Sequence, residues 1–100
     1  MTKMKEIFGE AEYGIVVLHT EWCGFCKKFD PIFDEVSQEH GKQYRFAKVD
    51  AQKEQEIAKL FKVQAFPTIV FVKNGEEVGR ELGYMTKEQF TLVIAKHFIV

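Results

Sequence analysis

Glu21-Trp22-Cys23-Gly24-Phe25-Cys26-Lys27-Lys28 contains both cysteines of the chain, two residues apart. The apolar run Ile15-Val16-Val17-Leu18 precedes it, and a helical pattern begins at Gly24. A strand running into a helix N-terminus sets thiols beside unpaired backbone N–H groups and a partial positive charge, both of which stabilise a thiolate. Two cysteines within one helical turn can close a small disulfide and reopen it by thiol–disulfide exchange. Zinc is the competing chemistry. A structural zinc site takes four ligands, so a single CxxC needs two more from elsewhere. No other cysteine exists, and His19, His40 and His97 show no paired ligand spacing. Ligand count favours the redox dithiol.

One hundred residues support one domain, 1–100, with a modest core. A hydrophobic fraction of 46% with ten phenylalanines fits a compact globular protein and argues against disorder. The net charge of −1 removes the electrostatic case for nucleic acid or an anionic membrane. No apolar stretch approaches the roughly 20 residues of a membrane span. Met1-Thr2-Lys3-Met4-Lys5-Glu6 runs into an amphipathic pattern instead of a signal-peptide core. That predicts a cytoplasmic protein, in a compartment where thiols are kept reduced.

Outward from the cysteines, Met4, Ile7, Phe8 and Ala11 recur at helical spacing, predicting a helix over residues 2–12 that ends near Gly14. Residues 15–18 read as a central strand covered on both faces. Phe25, Phe29, Ile32, Phe33 and Val36 give a helix over 24–40, with Pro31 inside it and Gly41 as its stop. Residues 44–49 form a second strand, and Ile57, Ala58, Leu60 and Phe61 mark a further helix. Residues 68–72 are a β-branched and aromatic strand, Asn74-Gly75 is a hairpin turn, and 76–82 return antiparallel. Thr86-Lys87-Glu88-Gln89 matches a capping box ahead of a last helix with Phe90, Val93, Ile94 and Phe98 on its apolar face. A β-α-β unit followed by a hairpin and a closing helix implies a mixed sheet with helices on both faces.

Over nearly its whole length this pattern resembles the thioredoxin family. Trp22-Cys23-Gly24-Phe25-Cys26-Lys27 is similar to the family's Trp-Cys-Gly-Pro-Cys-Lys signature, with Phe25 in place of proline. Pro31 falls where the family kinks its active-site helix, and Phe66-Pro67-Thr68 resembles its cis-proline segment. Asn74-Gly75 matches its hairpin, and Gly83 the glycine before its last helix. The resemblance implies an α/β, thioredoxin-like fold with a mixed central sheet of about four strands flanked by helices, and an activity in protein disulfide exchange. It also implies disulfide-containing protein substrates and an upstream disulfide reductase as partners, with no cofactor.

Four departures stand out. Only about twenty residues precede the dithiol, so the family's first strand is expected to be missing, leaving strand 44–49 at a sheet edge. Val17 stands where thioredoxins place a buried Asp as proton relay, and His19 replaces a tryptophan common in the family. Phe25 is the fourth; it cannot ionise, which points to a potential nearer about −270 mV than the ~−120 mV of strong oxidants.

Cys23, exposed at the helix start, is expected to be the nucleophile and Cys26 the resolving thiol. Trp22, Gly24, Phe25, Phe66, Pro67 and Gly83 are expected to position substrate around Cys23, with the backbone of Phe66 pairing with an extended segment. Lys48 is expected to reach solvent on its long stem, His40 to compensate a helix C-terminus, and His97 to lie on a solvated helix face. The function expected is a dithiol reductase. The alternatives are an oxidase or isomerase of an oxidising compartment and a non-catalytic redox-sensing module. Arg45 and Lys48 on the edge strand argue for a monomer.

Overall fold

The computed structural model describes residues 7–99. β1 (Tyr13–His19), β2 (Arg45–Asp50), β3 (Thr68–Lys73) and β4 (Glu76–Leu82) form one sheet in the order β2-β1-β3-β4. α1 (Gly24–His40) makes the crossover between the parallel strands β1 and β2. β3 lies antiparallel to β1, and β4 antiparallel to β3. α2 (Gln55–Leu60) precedes β3, and α3 (Lys87–Ile99) closes the described chain.

Side-chain alternation along β1 sorts the apolar residues into two cores. Ile15 and Val17 face the first, with Ile69 and Phe71 of β3, Phe29, Phe33 and Val36 of α1, and Phe90, Ile94 and Phe98 of α3. Val16 and Leu18 face the second, with Val70, Val72, Phe8, Ile57 and Phe61. The sheet is therefore covered on both faces, as the continuous run 15–18 predicts. Phe90 holds the first core together: its ring is 5.1 Å from Phe29 and 5.8 Å from Phe33, within the range of favourable aromatic pairs.

The turn chemistry follows the sequence. Asn74 and Gly75 both take positive φ, 53° and 84°, as a two-residue turn matched to strand twist requires. The capping box closes in both directions: Gln89 N–H donates to Thr86 Oγ1 at 3.2 Å, and Thr86 N–H to Gln89 Oε1 at 3.0 Å. β2 is an edge of the sheet among the described residues, with Arg45 and Lys48 exposed on it.

Two expectations are corrected. The helix expected over 2–12 lies partly outside the described residues, and its described part ends at Phe8, because Gly9 turns the chain with φ 58°. Gly14 then lies inside β1, where a Cβ would sit 2.3 Å from the Phe8 ring. Its place is fixed by packing instead of helix termination. His97 is not solvated. Its side chain is 12% exposed, its ring lies 4.5 Å from that of Phe71, and Nε2 is 2.9 Å from Glu81 Oε2. A Cβ at Gly79 would meet that ring at 2.3 Å, so the glycine in β4 makes the room. His40 ends α1 as expected and packs its ring 6.3 Å from Tyr44.

Phe90→Ala is expected to destabilise the protein by about 3–5 kcal/mol in urea unfolding, since a fully buried ring leaves a cavity between two helices. Leu92→Ala, two residues on and on the opposite side of the helix at 70% exposed, should stay within about 0.5 kcal/mol. Light scattering at micromolar concentration should report a monomer, the exposed charges of β2 opposing edge-to-edge pairing.

Candidate functional site

Residues 20–23 make the whole connection from β1 to α1. Cys23 is the N-cap of α1, extended at φ −90° and ψ 115°, and its Sγ accepts the Cys26 N–H at 3.3 Å. A sulfur thus performs the part that a Ser or Asp oxygen performs at most helix starts. On its other side the Cys23 S–H donates to the Phe66 carbonyl at 3.5 Å. The thiol is partly exposed, while Cys26, one turn into the helix, is 5% exposed.

The burial of Cys26 governs how readily it ionises. Burial, then the hydrogen bond that the Cys26 S–H shares with the Cys23 sulfur, push the Cys26 thiol up from an ordinary 9.0 to about 12; the charges of Cys23 and Asp30 add to this, and a backbone hydrogen bond at Thr20 opposes it. At neutral pH its thiolate fraction is about a thousandfold below that of an ordinary thiol.

β3 brings the remaining residues to the dithiol. Leu18 pairs with Thr68, so Pro67 and Phe66 lie beside the end of β1. The Phe66–Pro67 peptide bond is cis, Pro67 is buried and Phe66 half-buried. Gly83, at φ 88°, donates its N–H to the Pro67 carbonyl at 2.8 Å, which ties the end of β4 to the same segment. Trp22 and Phe25 are 78% and 60% exposed, large apolar groups in water on either side of Cys23. A Cβ at Gly24 would meet nothing within 4 Å, so internal packing does not demand glycine between them. Leu82, 64% exposed next to Gly83, extends this apolar surface and was not singled out from sequence. Its signal was its place at the end of β4, directly before the glycine.

Val17 is 4% exposed among apolar neighbours, and its register partners are Lys48 on β2 and Ile69 on β3. Lys48 does not simply reach solvent. Its Nζ lies 2.6 Å from Asp30 Oδ1 and 2.6 Å from Asp34 Oδ1, bridging two carboxylates of α1. Partial burial works against its charge, but these two hydrogen bonds outweigh it and raise its pKa. The physical reason for the correction is that β2 runs beneath α1 and meets an acidic pair one turn apart. Asp30 also escaped the sequence reading, although it stands four residues after Cys26, on a neighbouring position of the helix surface. The His19 ring is half-buried and makes no hydrogen bond among the described residues, and Lys28 lies over the Tyr84 ring, 5.3 Å from its centre.

A mixed sheet layered between helices, with a dithiol where its central strand passes into a helix, defines a thioredoxin-like fold built for thiol chemistry. The Thioredoxin family model matches residues 3–96. The thioredoxin of Bacillus subtilis is 33% identical over 90 residues, 88% of this chain and 86% of that protein, and that of Listeria monocytogenes is 34% identical over 76 residues, 76% and 74% of the two chains. Among solved structures, the thioredoxins of Plasmodium falciparum and Malassezia sympodialis are each 29% identical. The first superposes with a TM-score of 0.86 over 97% of this chain and 93% of its own. The second gives 0.84 over 96% and 84%. The chain belongs to the thioredoxin family, and its chemistry is that of a thiol–disulfide oxidoreductase.

Iodoacetamide at neutral pH is expected to modify Cys23 alone in the reduced protein, with Cys26 labelled only after unfolding. As pH rises toward about 12, labelling of native Cys26 should climb about tenfold per pH unit, because its thiolate is the minor form throughout. Peptide mapping by mass spectrometry distinguishes the two sites, and preferential labelling of Cys26 would reverse the assignment.

Proposed function

We propose that the protein is a dithiol reductase of protein disulfides, working in the cytoplasm. The carrying observation is the asymmetry of the two thiols: Cys23 partly exposed at the N-cap of α1, Cys26 buried one turn behind it. Cys23 as thiolate attacks one sulfur of a substrate disulfide, forming a mixed disulfide and releasing the other substrate sulfur as a thiolate. Cys26 then attacks Cys23, the Cys23–Cys26 bond forms, and the remaining substrate sulfur departs. Two electrons pass from the dithiol to the substrate, and an upstream disulfide reductase returns them.

Trp22, Phe25 and Phe66, with Leu82 beside Gly83, offer apolar contact for the chain around a substrate disulfide. Gly24 leaves the approach to Cys23 unobstructed. The Phe66 main chain at the Phe66–Pro67 step is available to pair with an extended substrate segment, as its carbonyl already meets the Cys23 thiol. Pro67 has no N–H with which to compete for the sulfur.

Insulin reduction with dithiothreitol as electron source tests this reading. The protein should accelerate it, Cys23→Ser should abolish the effect, and Cys26→Ser should accumulate mixed disulfides. The reduction potential of the Cys23–Cys26 pair should lie near about −270 mV. A value above roughly −200 mV would favour an oxidase or isomerase, and no acceleration at all would leave a redox-sensing module.

A further inference from the structure

Resolution of the mixed disulfide needs the Cys26 thiolate, and Cys26 is the group that burial keeps protonated. A nearby base must take the proton. β1 supplies no carboxylate at its buried positions, which are Gly14, Ile15, Val16, Val17 and Leu18. Of the groups on the surrounding elements, Cys23 at the N-cap of α1 and Asp30 on α1 act on the Cys26 thiol; α1 also carries Asp34, Lys27 and Lys28, β2 carries Lys48, and β1 ends at His19.

We propose that Asp30, held in place by Lys48, accepts the Cys26 proton through one bridging water. The assignment rests on Cys26 being the resolving thiol. Three observations converge on Asp30. Residues four apart on a helix are surface neighbours, about 5–6 Å between Cβ atoms, so Asp30 stands one turn beyond Cys26 on the same side. Lys48 anchors it at 2.6 Å from the strand next to β1, at the register position of Val17. Half of the Asp30 side chain is open to solvent, so a water has access to its carboxylate. His19, the other candidate base, has among the described residues no hydrogen bond that would aim its ring.

In the step itself, the Cys26 proton passes through the water to the Asp30 carboxylate. The Cys26 sulfur then attacks the Cys23 sulfur, the Cys23–Cys26 bond forms and the Cys23–substrate bond breaks. The departing substrate sulfur carries the electron pair and is protonated by solvent, and Asp30 returns its proton to water. The cysteine pair is oxidised by two electrons and the original substrate disulfide is reduced by two.

Charge alone and base catalysis predict opposite signs, which makes the test decisive. Removing a negative charge beside Cys26 eases its ionisation, so a purely electrostatic Asp30 would give faster resolution in Asp30→Asn. Removing a base gives slower resolution. Stopped-flow reaction of the full reduced protein with dithiobis-nitrobenzoate separates the two steps: Cys23 releases the first equivalent of coloured thiol, and attack by Cys26 releases the second. The first phase is the internal reference. Asp30→Asn should slow the second phase about 10- to 100-fold at neutral pH and flatten its pH dependence, while Asp30→Glu recovers most of the rate. Asp34→Asn, which also removes one Lys48 contact but stands eight residues from Cys26, should stay within about twofold of the parent if only a proton acceptor near Cys26 matters. An unchanged or faster second phase in Asp30→Asn, or equal slowing in Asp34→Asn, overturns the assignment. A parent protein with no second phase, indistinguishable from Cys26→Ser, overturns the resolving role of Cys26 as well.

Discussion

The pairing of Leu18 with Thr68 is the constraint on which the site depends. β1 and β3 are antiparallel, so the strand that delivers the dithiol ends where the next begins, and the Phe66–Pro67 step arrives beside Cys23. Thr68 opposite Leu82 extends the same alignment to β4 and brings the Gly83 N–H to the Pro67 carbonyl. A one-residue slip would reverse the face of every side chain. Because both faces of this sheet are buried, polarity alone would not forbid it. Volume does. Phe71 lies in a core shaped by Phe90 and Phe98, and Val70 in one shaped by Phe8 and Phe61, so exchanged faces would overpack one side and leave space on the other.

The same sheet explains where charge is tolerated. A carboxylate at position 17 would be almost fully buried, and withdrawing an ion from water costs several kcal/mol unless it is well paired. Asp30 and Lys48 instead meet at the open side of α1, half and about one-third exposed. Such a pair contributes at most about 1 kcal/mol, but it imposes no desolvation on the core. The arrangement separates two duties that a buried acid would combine: apolar packing of β1 against α1, and a charge within reach of Cys26.

Much of this was legible from local patterns. The boundaries of α1, the β3–β4 hairpin at Asn74-Gly75 and the capping box at Thr86 each rest on interactions within a few residues, which a sequence displays directly. The run 15–18 announced a strand buried on both faces for the same reason. What escaped depended on contacts distant in sequence. Gly14 resembles a helix stop until Phe8 is seen lying over it, and His97 resembles a surface residue until Gly79, eighteen positions earlier, is seen to make room for its ring. Lys48 could be read as solvated because no local rule says that β2 passes under Asp30 and Asp34. For the dithiol, motif and spacing located the thiols and the segment opposite them, while Asp30 and Leu82 emerged only once helix, strand and loop were assembled.

The difference between the two thiols follows from how α1 docks. Its buried residues are Cys26, Phe29, Phe33 and Val36, spaced at three, four and three, which is one stripe of a helix. Cys26 is the first member of the stripe that fixes the helix to the sheet, so its desolvation is a condition of the fold. Cys23, three residues earlier at the N-cap, precedes the first helical turn and escapes that stripe. Any change that made Cys26 more acidic by exposing it would loosen α1 where the site needs it held. With Cys26 kept in place by packing, the base proposed to ionise it stands on the rim of the stripe, where Asp30 is held by Lys48.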